Sequence, residues 1–175
     1  MPGLSCKIIE ETCSRLLRNV RGSGELPYKE TPGGFWATSI MPDVQKAFMW
    51  VGLDRYKNFV DLGSGDGRVV ALASMFVRAT GIEIDLELYQ LSTELKKALR
   101  LDNVDFYLGN YESLDLSNFD FIYMYPDKPQ IKVEKMLKDK WHGTVLIAGP
   151  HFSPVTWNKV AEKSFSVEKF TQYRL

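Results

Sequence analysis

Three glycines stand within five positions in the stretch FVDLGSGDGRVVALA, residues 59–73, between an apolar run and a second apolar pattern of helical spacing. Glycines at such a turn adopt backbone angles that other residues avoid, and they let a ligand approach main-chain N–H groups. In doubly wound sheets, ligands bind beside the turn that follows the first parallel strand. The stretch therefore predicts a ligand site around Gly63, Ser64, Gly65 and Gly67.

The spacing of these glycines distinguishes between cofactors. Dinucleotide-binding loops follow the pattern G-x-G-x-x-G, whereas here the third glycine comes one place early and Arg68 stands where that pattern has its last glycine. The next strand-like run ends in GIEID, which places Glu83 at the strand tip. A carboxylate there can accept hydrogen bonds from both hydroxyls of a ribose. The combination argues against NAD or FAD and favours another nucleoside cofactor.

The elements that must position this site alternate along the chain from residue 58. Short apolar runs (NFVDL, ATGIEI, VDFYL, FDFIYMY and TVLIAGP) are interspersed with longer amphipathic segments (DGRVVALASMFV, DLELYQLSTELKKALR and PQIKVEKMLKDK). This alternation predicts parallel strands joined by crossover helices. The final segment, WNKVAEKSFSVEKFTQYRL, predicts at least one antiparallel edge strand. We therefore expect an α/β fold with a doubly wound, mostly parallel sheet.

The N-terminal part has a different pattern. Residues 4–20 carry apolar side chains at three- and four-residue steps, which predicts an amphipathic helix. Residues 21–34 are rich in glycine and proline and predict a loop or arm with no helix of its own. TSIMPDVQKAFMWVGL then predicts a helix with Pro42 in its first turn and Gly52 at its end. We predict a division into an N-terminal helix and arm, 1–34, and a ligand-binding domain, 35–175.

Composition limits the partners of the chain. Its 175 residues are 45% hydrophobic, and the 22 Lys and Arg equal the 22 Asp and Glu, so no large overall field favours nucleic acid or anionic membrane. No apolar run approaches the roughly 20 residues of a membrane span, and nothing resembles a signal peptide. Cys6 and Cys13 fit neither a disulfide framework nor a zinc site, and no metal-ligand cluster is apparent. We expect a cytoplasmic protein without membrane or metal.

VDLGSGDG followed by GIEID resembles motif I and the acidic strand-two motif of the class I, Rossmann-like S-adenosylmethionine-dependent methyltransferases. The resemblance covers roughly residues 36–175. It implies a seven-stranded sheet in the order 3-2-1-4-5-7-6. Because the chain ends soon after the fifth strand, strands six and seven should be short, with little or no helix between them. The cofactor implied is S-adenosylmethionine.

The same resemblance implies roles for individual residues. The glycine loop would lie under the methionine and ribose parts of the cofactor, and Asp61 would orient the loop and the cofactor's amino group. Glu83 would bind the ribose hydroxyls. Ile84 would contact the face of the adenine, and Asn110 would lie near it. The cofactor-binding set is thus Asp61, Gly63, Ser64, Gly65, Gly67, Glu83, Ile84 and Asn110.

Residues facing the methyl acceptor are expected in FIYMYPDKP, at the end of the fourth strand. Tyr123, Tyr125 and Asp127 are the candidates for catalytic roles, although aromatic residues in a buried strand commonly belong to the core. Enzymes that methylate amino groups of nucleic-acid bases carry an Asn or Asp, two prolines and an aromatic residue here. MYPD departs from that pattern, which lowers but does not remove the nucleic-acid interpretation, since KPQIKVEKMLKDK could form a basic patch. His151 is a further, weaker candidate for a base.

The layout is most similar to the small protein-lysine methyltransferases that consist of a bare catalytic domain. GGFWATSIMPDVQKAF followed by DLGSGDGR carries this similarity, while ATSIMP and MYPD depart from the usual motifs. By this resemblance Trp36 and Thr38 belong to an arm over the cofactor on the substrate side. It implies methyl transfer to a protein lysine. An RNA or small-molecule methyltransferase and a catalytically silent cofactor-binding scaffold remain the alternatives.

Overall fold

A seven-stranded sheet with helices on both faces forms the body of the computed structural model, which describes residues 4–21, 28–138 and 140–175. The helices are α1 (Cys6–Arg21), α2 (Met41–Val51), α3 (Arg68–Ala73), α4 (Leu86–Leu99) and α5 (Ile131–Leu137). The strands are β1 (Tyr28–Thr31), β2 (Gly34–Ala37), β3 (Asn58–Leu62), β4 (Arg78–Glu83), β5 (Val104–Leu108), β6 (Phe121–Met124), β7 (Thr144–Ala148), β8 (Asn158–Ser164) and β9 (Lys169–Arg174). Short 3-10 turns cover Leu53–Arg55 and Tyr111–Ser113.

The sheet order is β5-β4-β3-β6-β7-β9-β8. Strands β3 to β7 pair in parallel, β9 is antiparallel to β7, and β8 is antiparallel to β9. Numbered from β3, this is the expected order 3-2-1-4-5-7-6, and the antiparallel edge is confirmed. Within the described residues 140–175, the turn at 165–168 joins β8 directly to β9. The expectation of short final strands is wrong, because β8 has seven residues and β9 six.

Side chains alternate between two cores, one on each face of the sheet. Phe59 and Phe121 belong to the core beneath α1 to α4, whereas Val60 and Ile122 belong to the core on the opposite face. A pleated strand sends successive side chains to opposite faces, and a strand covered on both faces is apolar throughout. Because β3 to β7 are parallel, their carboxyl ends meet at one edge of the sheet. Residues at that edge are available to form a site.

The N-terminal helix α1 confirms the predicted amphipathic pattern. Ser5 caps its start, since the Ser5 hydroxyl accepts a hydrogen bond from the Ile8 N–H. Its apolar face packs on α2, α3 and α4, with Ile9 and Cys13 buried in the main core. Burial raises the pKa of the Cys13 thiol, which suits a packed rather than a reactive cysteine. The helix is thus an integral part of the domain.

Helices α2 and α3 differ in how well the sequence predicts their ends. Pro42 lies in the first turn of α2, and Gly52 ends that helix with φ of 65°, both as expected. In contrast, α3 ends at Ala73, four residues before the apolar pattern does. The Asn103 side chain donates a hydrogen bond to the Ser74 carbonyl, which fixes a turn there. The apolar pattern continues to Val77 because the Val77 side chain is buried in the core, although the residue lies outside the helix.

A hairpin of β1 and β2 forms part of the predicted arm. Its register runs from Tyr28 opposite Ala37 to Thr31 opposite Gly34. The remainder of the arm, 22–27, lies outside the described residues. The division between residues 34 and 35 stays a prediction, and β2 crosses that position. In the described ranges, no helix combines the length and the apolar character needed to cross a membrane.

Candidate functional site

A cavity of about 690 Å³ opens at the carboxyl edge of the sheet, between the strand ends and the β1–β2 hairpin. Binding sites for small molecules commonly have volumes of this order, and in doubly wound sheets they lie at this edge. Most of the predicted site residues line the cavity, namely Trp36, Thr38, Asp61, Gly63, Ser64, Glu83, Ile84, Asn110, Tyr123, Tyr125 and Asp127. Gly65 and Gly67 do not line it.

The glycine loop after β3 needs its glycines for two different reasons. Gly63, Gly65 and Gly67 have φ of 84°, 56° and 83°, the left-handed region that strains other residues. A Cβ on Gly65 would lie 2.1 Å from Nε1 of Trp36, and one on Gly67 would lie 2.7 Å from the Phe106 ring. Gly65 therefore makes room for the Trp36 indole, and Gly67 lets the start of α3 pack closely on β5.

Glu83 ties this loop to the end of β4. Its Oε2 accepts a hydrogen bond from the Gly65 N–H at 2.7 Å, and its Oε1 accepts from the Ile84 and Asp85 N–H groups at 2.9 and 2.8 Å. The side chain is 5% exposed, and burial raises its pKa while these donors lower it. A carboxylate offers about four acceptor positions. One position on Oε2 therefore remains for a ligand hydroxyl.

Asp61 is the buried acid beside the loop. Burial, followed by the nearby Glu83 and Asp66 carboxylates, raises its pKa well above the usual value. Asp66 has a different environment, because the Arg68 guanidinium donates to both of its carboxylate oxygens and forms a buried ion pair. A positively charged group bound against Asp61 would stabilise its ionised form. This arrangement suits a ligand that carries a cation next to the glycine loop.

The β1–β2 hairpin covers the cavity and is held by the segment after β6. The Phe35 N–H donates to Oδ2 of Asp127, and the Lys128 ammonium donates to the Gly33 carbonyl. A Cβ on Gly34 would lie 2.0 Å from the same Asp127 oxygen, so the carboxylate approaches the hairpin backbone closely. Asp127, predicted as a catalytic candidate, is thus engaged in holding the hairpin. No local pattern in the sequence indicates this contact.

The β1–β2 hairpin also contacts the end of β4 and the start of α4. A Cβ on Gly33 would lie 2.9 Å from Cγ2 of Ile84, so the hairpin turn packs on that side chain. Lys29 forms ion pairs with Asp85 at 3.0 Å and with Glu87 at 3.3 Å at the start of α4. With the Trp36 indole over Gly65, the hairpin encloses one end of the cavity. The predicted position of Trp36 over a cofactor stays a prediction.

Tyr123 and Tyr125 differ in their surroundings. The Tyr123 ring is buried in the core, 5.7 Å from the Phe48 ring between centroids. Within the described residues its hydroxyl makes no hydrogen bond of good geometry. Burial raises its pKa, although the Ser39 side chain lies near enough to lower it. Tyr125 is 48% exposed, its ring packs on Gly149, and its hydroxyl donates to Oε1 of Glu168 at 3.2 Å. Burial and then Glu168 raise the pKa of Tyr125 to about 12, so its hydroxyl stays protonated at neutral pH.

Asn110 and His151 lie at opposite parts of the cavity wall. The Asn110 Oδ1 accepts a hydrogen bond from the Glu112 N–H at 2.9 Å and thereby caps a 3-10 turn. His151 is exposed beside Phe152, whose φ of 57° is rare for a residue with a side chain. Glu168 faces the same cavity from the turn between β8 and β9. It is a site residue that the sequence does not reveal, because nothing in its neighbourhood forms a motif.

Metal-ligating side chains do not cluster here. Across residues 4–21, 28–138 and 140–175, no group of three or more His, Cys, Asp or Glu side chains has the arrangement to hold a metal ion. Both cysteines are free thiols on α1.

The amino-acid sequence of the chain is similar to that of a known protein. No protein-family model matches the chain. Over 122 residues, 66% of this chain and 38% of that protein, it is 30% identical to the protein-L-isoaspartate O-methyltransferase of Thermotoga maritima. The chain thus spans less than half the length of this relative.

Two solved structures have similar folds over 79% of this chain. An RNA methyltransferase from Salinibacter ruber, in complex with S-adenosyl-L-homocysteine, has a TM-score of 0.67 at 22% identity, covering 79% of this chain and 93% of that one. TehB from Haemophilus influenzae has a TM-score of 0.57 at 16% identity, covering 79% of this chain and 63% of that one. Together with the strand order, these likenesses show that the chain has the Rossmann-like fold of the class I methyltransferases.

Proposed function

We propose that this protein is an S-adenosylmethionine-dependent methyltransferase. The observation that carries the proposal is the left-handed glycine loop, hydrogen-bonded to Glu83 and covered by Trp36, at the carboxyl edge of this sheet. The loop spacing excludes the dinucleotide pattern. The similar fold from Salinibacter ruber holds S-adenosyl-L-homocysteine, which supports a cofactor of that type here.

The residues of the cavity fit such a cofactor. Its volume of about 690 Å³ lies within the usual range of small-molecule sites. Glu83 retains an acceptor position for a ribose hydroxyl, and the buried Asp61 carboxylate suits a cationic amino group. The Tyr123 hydroxyl, buried and without a hydrogen bond of good geometry in the described residues, lines the same space. Each of these groups gains an interaction when a nucleoside with a charged tail binds.

S-adenosylmethionine supplies a methyl group on an electrophilic sulfonium, which an acceptor lone pair can attack in line. The protein's residues then have binding and positioning roles. Ile84 offers an apolar surface for the adenine, with Asn110 close to it. Trp36 and the hairpin exclude water from one end of the cavity. Tyr125 and Glu168 line the same cavity and are available to contact an acceptor.

We further propose that the acceptor is a protein lysine amine. The cavity is lined by more carboxylates than cations, namely Asp61, Asp66, Glu83, Glu112, Asp127 and Glu168 against Arg68, Lys128 and Lys132. The Arg68–Asp66 and Lys132–Glu112 ion pairs cancel, and Lys128 donates to the Gly33 carbonyl, which leaves the carboxylates Asp61, Glu83, Asp127 and Glu168 in excess. Such a lining favours a cationic acceptor over a phosphate or a carboxylate. RNA remains the second candidate, because the Salinibacter ruber fold is that of an RNA methyltransferase.

The acceptor is tested with methyl-labelled S-adenosylmethionine and an extract of cells, followed by separate digestion with protease and with nuclease. Label that survives nuclease and is released by protease supports the lysine acceptor, and mass spectrometry then locates the methylated residue. Label released by nuclease identifies RNA. Label in neither polymer indicates a small molecule, and the absence of any transfer by a cofactor-binding protein would identify a silent scaffold.

A further inference from the structure

Glu168 is a carboxylate in the wall of the cavity. It lies in the turn that joins β8 to β9, and it lines the cavity together with Tyr123, Tyr125 and Phe152. Its Oε1 accepts a hydrogen bond from the Tyr125 hydroxyl at 3.2 Å. Since a carboxylate has about four acceptor positions, most of its capacity is available to a ligand.

A buried acid on α2 holds this turn in place. The Asp43 carboxylate, 0% exposed, accepts hydrogen bonds from the Ser166 hydroxyl at 2.8 Å and from the Val167 and Glu168 N–H groups at 2.9 and 3.1 Å. These bonds join positions more than a hundred residues apart in the chain. Because its own backbone N–H is one of the donors, Glu168 is attached at a defined place. A carboxylate fixed in this way is suited to orient a ligand.

The groups around Glu168 match a cation. Aromatic rings attract ammonium ions, and the Tyr125 and Phe152 rings line the same cavity as Glu168. We propose that Glu168 binds the ammonium group of the methyl acceptor and accepts one of its protons, which frees the nitrogen lone pair to attack the methyl group; this inference rests on the function proposed above. Burial and the nearby Asp43 raise the pKa of Glu168, whereas its bond with Tyr125 lowers it. A bound cation stabilises the ionised form of a carboxylate in such surroundings.

The test uses two nucleoside probes that differ in one group. In both, nitrogen replaces the sulfur of S-adenosylmethionine; one probe carries a 2-aminoethyl chain there and the other a propyl chain of equal length. Calorimetry measures the affinity of each probe and of S-adenosylhomocysteine. We expect the wild-type protein to bind the aminoethyl probe about tenfold more tightly than the propyl probe, the size of one charge-assisted hydrogen bond.

Substitution of Glu168 then tests whether this side chain causes the preference for the aminoethyl probe. Glu168→Gln should reduce the ratio to about one, while the affinities for the propyl probe and S-adenosylhomocysteine stay within about twofold. Glu162→Gln removes a carboxylate from the exposed β8 of the same hairpin and should keep the wild-type ratio. A preference that persists in Glu168→Gln, or a wild type without any preference, would overturn the inference alone. A wild type that binds neither S-adenosylhomocysteine nor the probes would overturn the proposed function as well.

Discussion

Replacing Asp43 with Asn tests whether one buried carboxylate holds the end of the sheet that bears Glu168. Burial by itself would raise the pKa of Asp43, but the hydrogen bonds from Val167, Glu168 and Ser166 outweigh it and hold the pKa at about 2, below the usual 3.8. The ionised carboxylate is therefore bound more strongly in the folded protein than the protonated acid. An amide of the same shape cannot accept all of these hydrogen bonds.

The size and the pH dependence of the stability loss in Asp43→Asn follow from the lowered pKa of Asp43. A difference of about 1.8 pKa units corresponds to about 2 kcal/mol of folding free energy at neutral pH. Because the folded pKa is lowered, this stabilisation is complete above pH 3.8 and is lost as the pH falls through 2. We expect Asp43→Asn to lower the free energy of unfolding by about 2 kcal/mol at pH 7 and by about half of that at pH 3.

Urea unfolding of the wild-type protein and of Asp43→Asn, followed by tryptophan fluorescence at pH 7, 5 and 3, measures this difference. Asp54→Asn, in the 3-10 turn that follows α2, serves as the control, because its carboxylate is exposed. It should change the stability by less than about 0.5 kcal/mol at every pH. A deficit of Asp43→Asn that stays constant between pH 7 and pH 3, or is absent at pH 7, would refute the reasoning.

Three further substitutions test other contacts of the site. Gly65→Ala should lower stability by about 1–2 kcal/mol because the left-handed backbone there is strained for alanine, and its Cβ should displace the Trp36 indole; an unchanged tryptophan emission spectrum and stability would contradict this. Tyr125→Phe should leave the affinity for S-adenosylhomocysteine intact and lower turnover, whereas unchanged turnover would assign Tyr125 to packing alone. Asp127→Ala removes the acceptor of the Phe35 N–H, so limited proteolysis should cut residues 28–37 faster while the melting temperature changes little. Equal cleavage rates would show that this contact does not hold the hairpin.

The sequence predicts the sheet well because its signals are local. NFVDL and VDFYL coincide with β3 and β5, because each is a short run of mainly apolar residues between polar segments. The positions of Gly63 and Glu83 are equally predictable. Gly63 directly follows β3 and Glu83 ends β4, and the place of each strand in the sheet determines where the residue lies. Where α3 ends depends on Asn103, a residue thirty positions away, and the apolar pattern of 74–77 carries no sign of it.

The contacts missed by the sequence analysis are those between distant segments. Asp43 and Glu168 belong to unrelated patterns, a helix start and a turn, and only the folded sheet brings them together. Asp127 is predicted to face an acceptor because it lies at the end of the fourth strand, and the hydrogen bond that its carboxylate accepts from the hairpin could not be read from that position. A two-stranded hairpin as short as 28–37 is not stable by itself. It depends on contacts with distant segments, and such contacts leave no pattern in the local sequence.

The most direct test of the account is calorimetric titration of S-adenosylhomocysteine into the wild-type protein and into Glu83→Ala. The account predicts binding at one site in the wild type and an affinity at least about tenfold lower in Glu83→Ala, because the substitution removes both a ligand acceptor and the anchor of the glycine loop. The Glu162→Ala variant, altered on an exposed strand, should bind as the wild type does. Equal affinities in Glu83→Ala and the wild type, or no binding to the wild-type protein, would contradict the account.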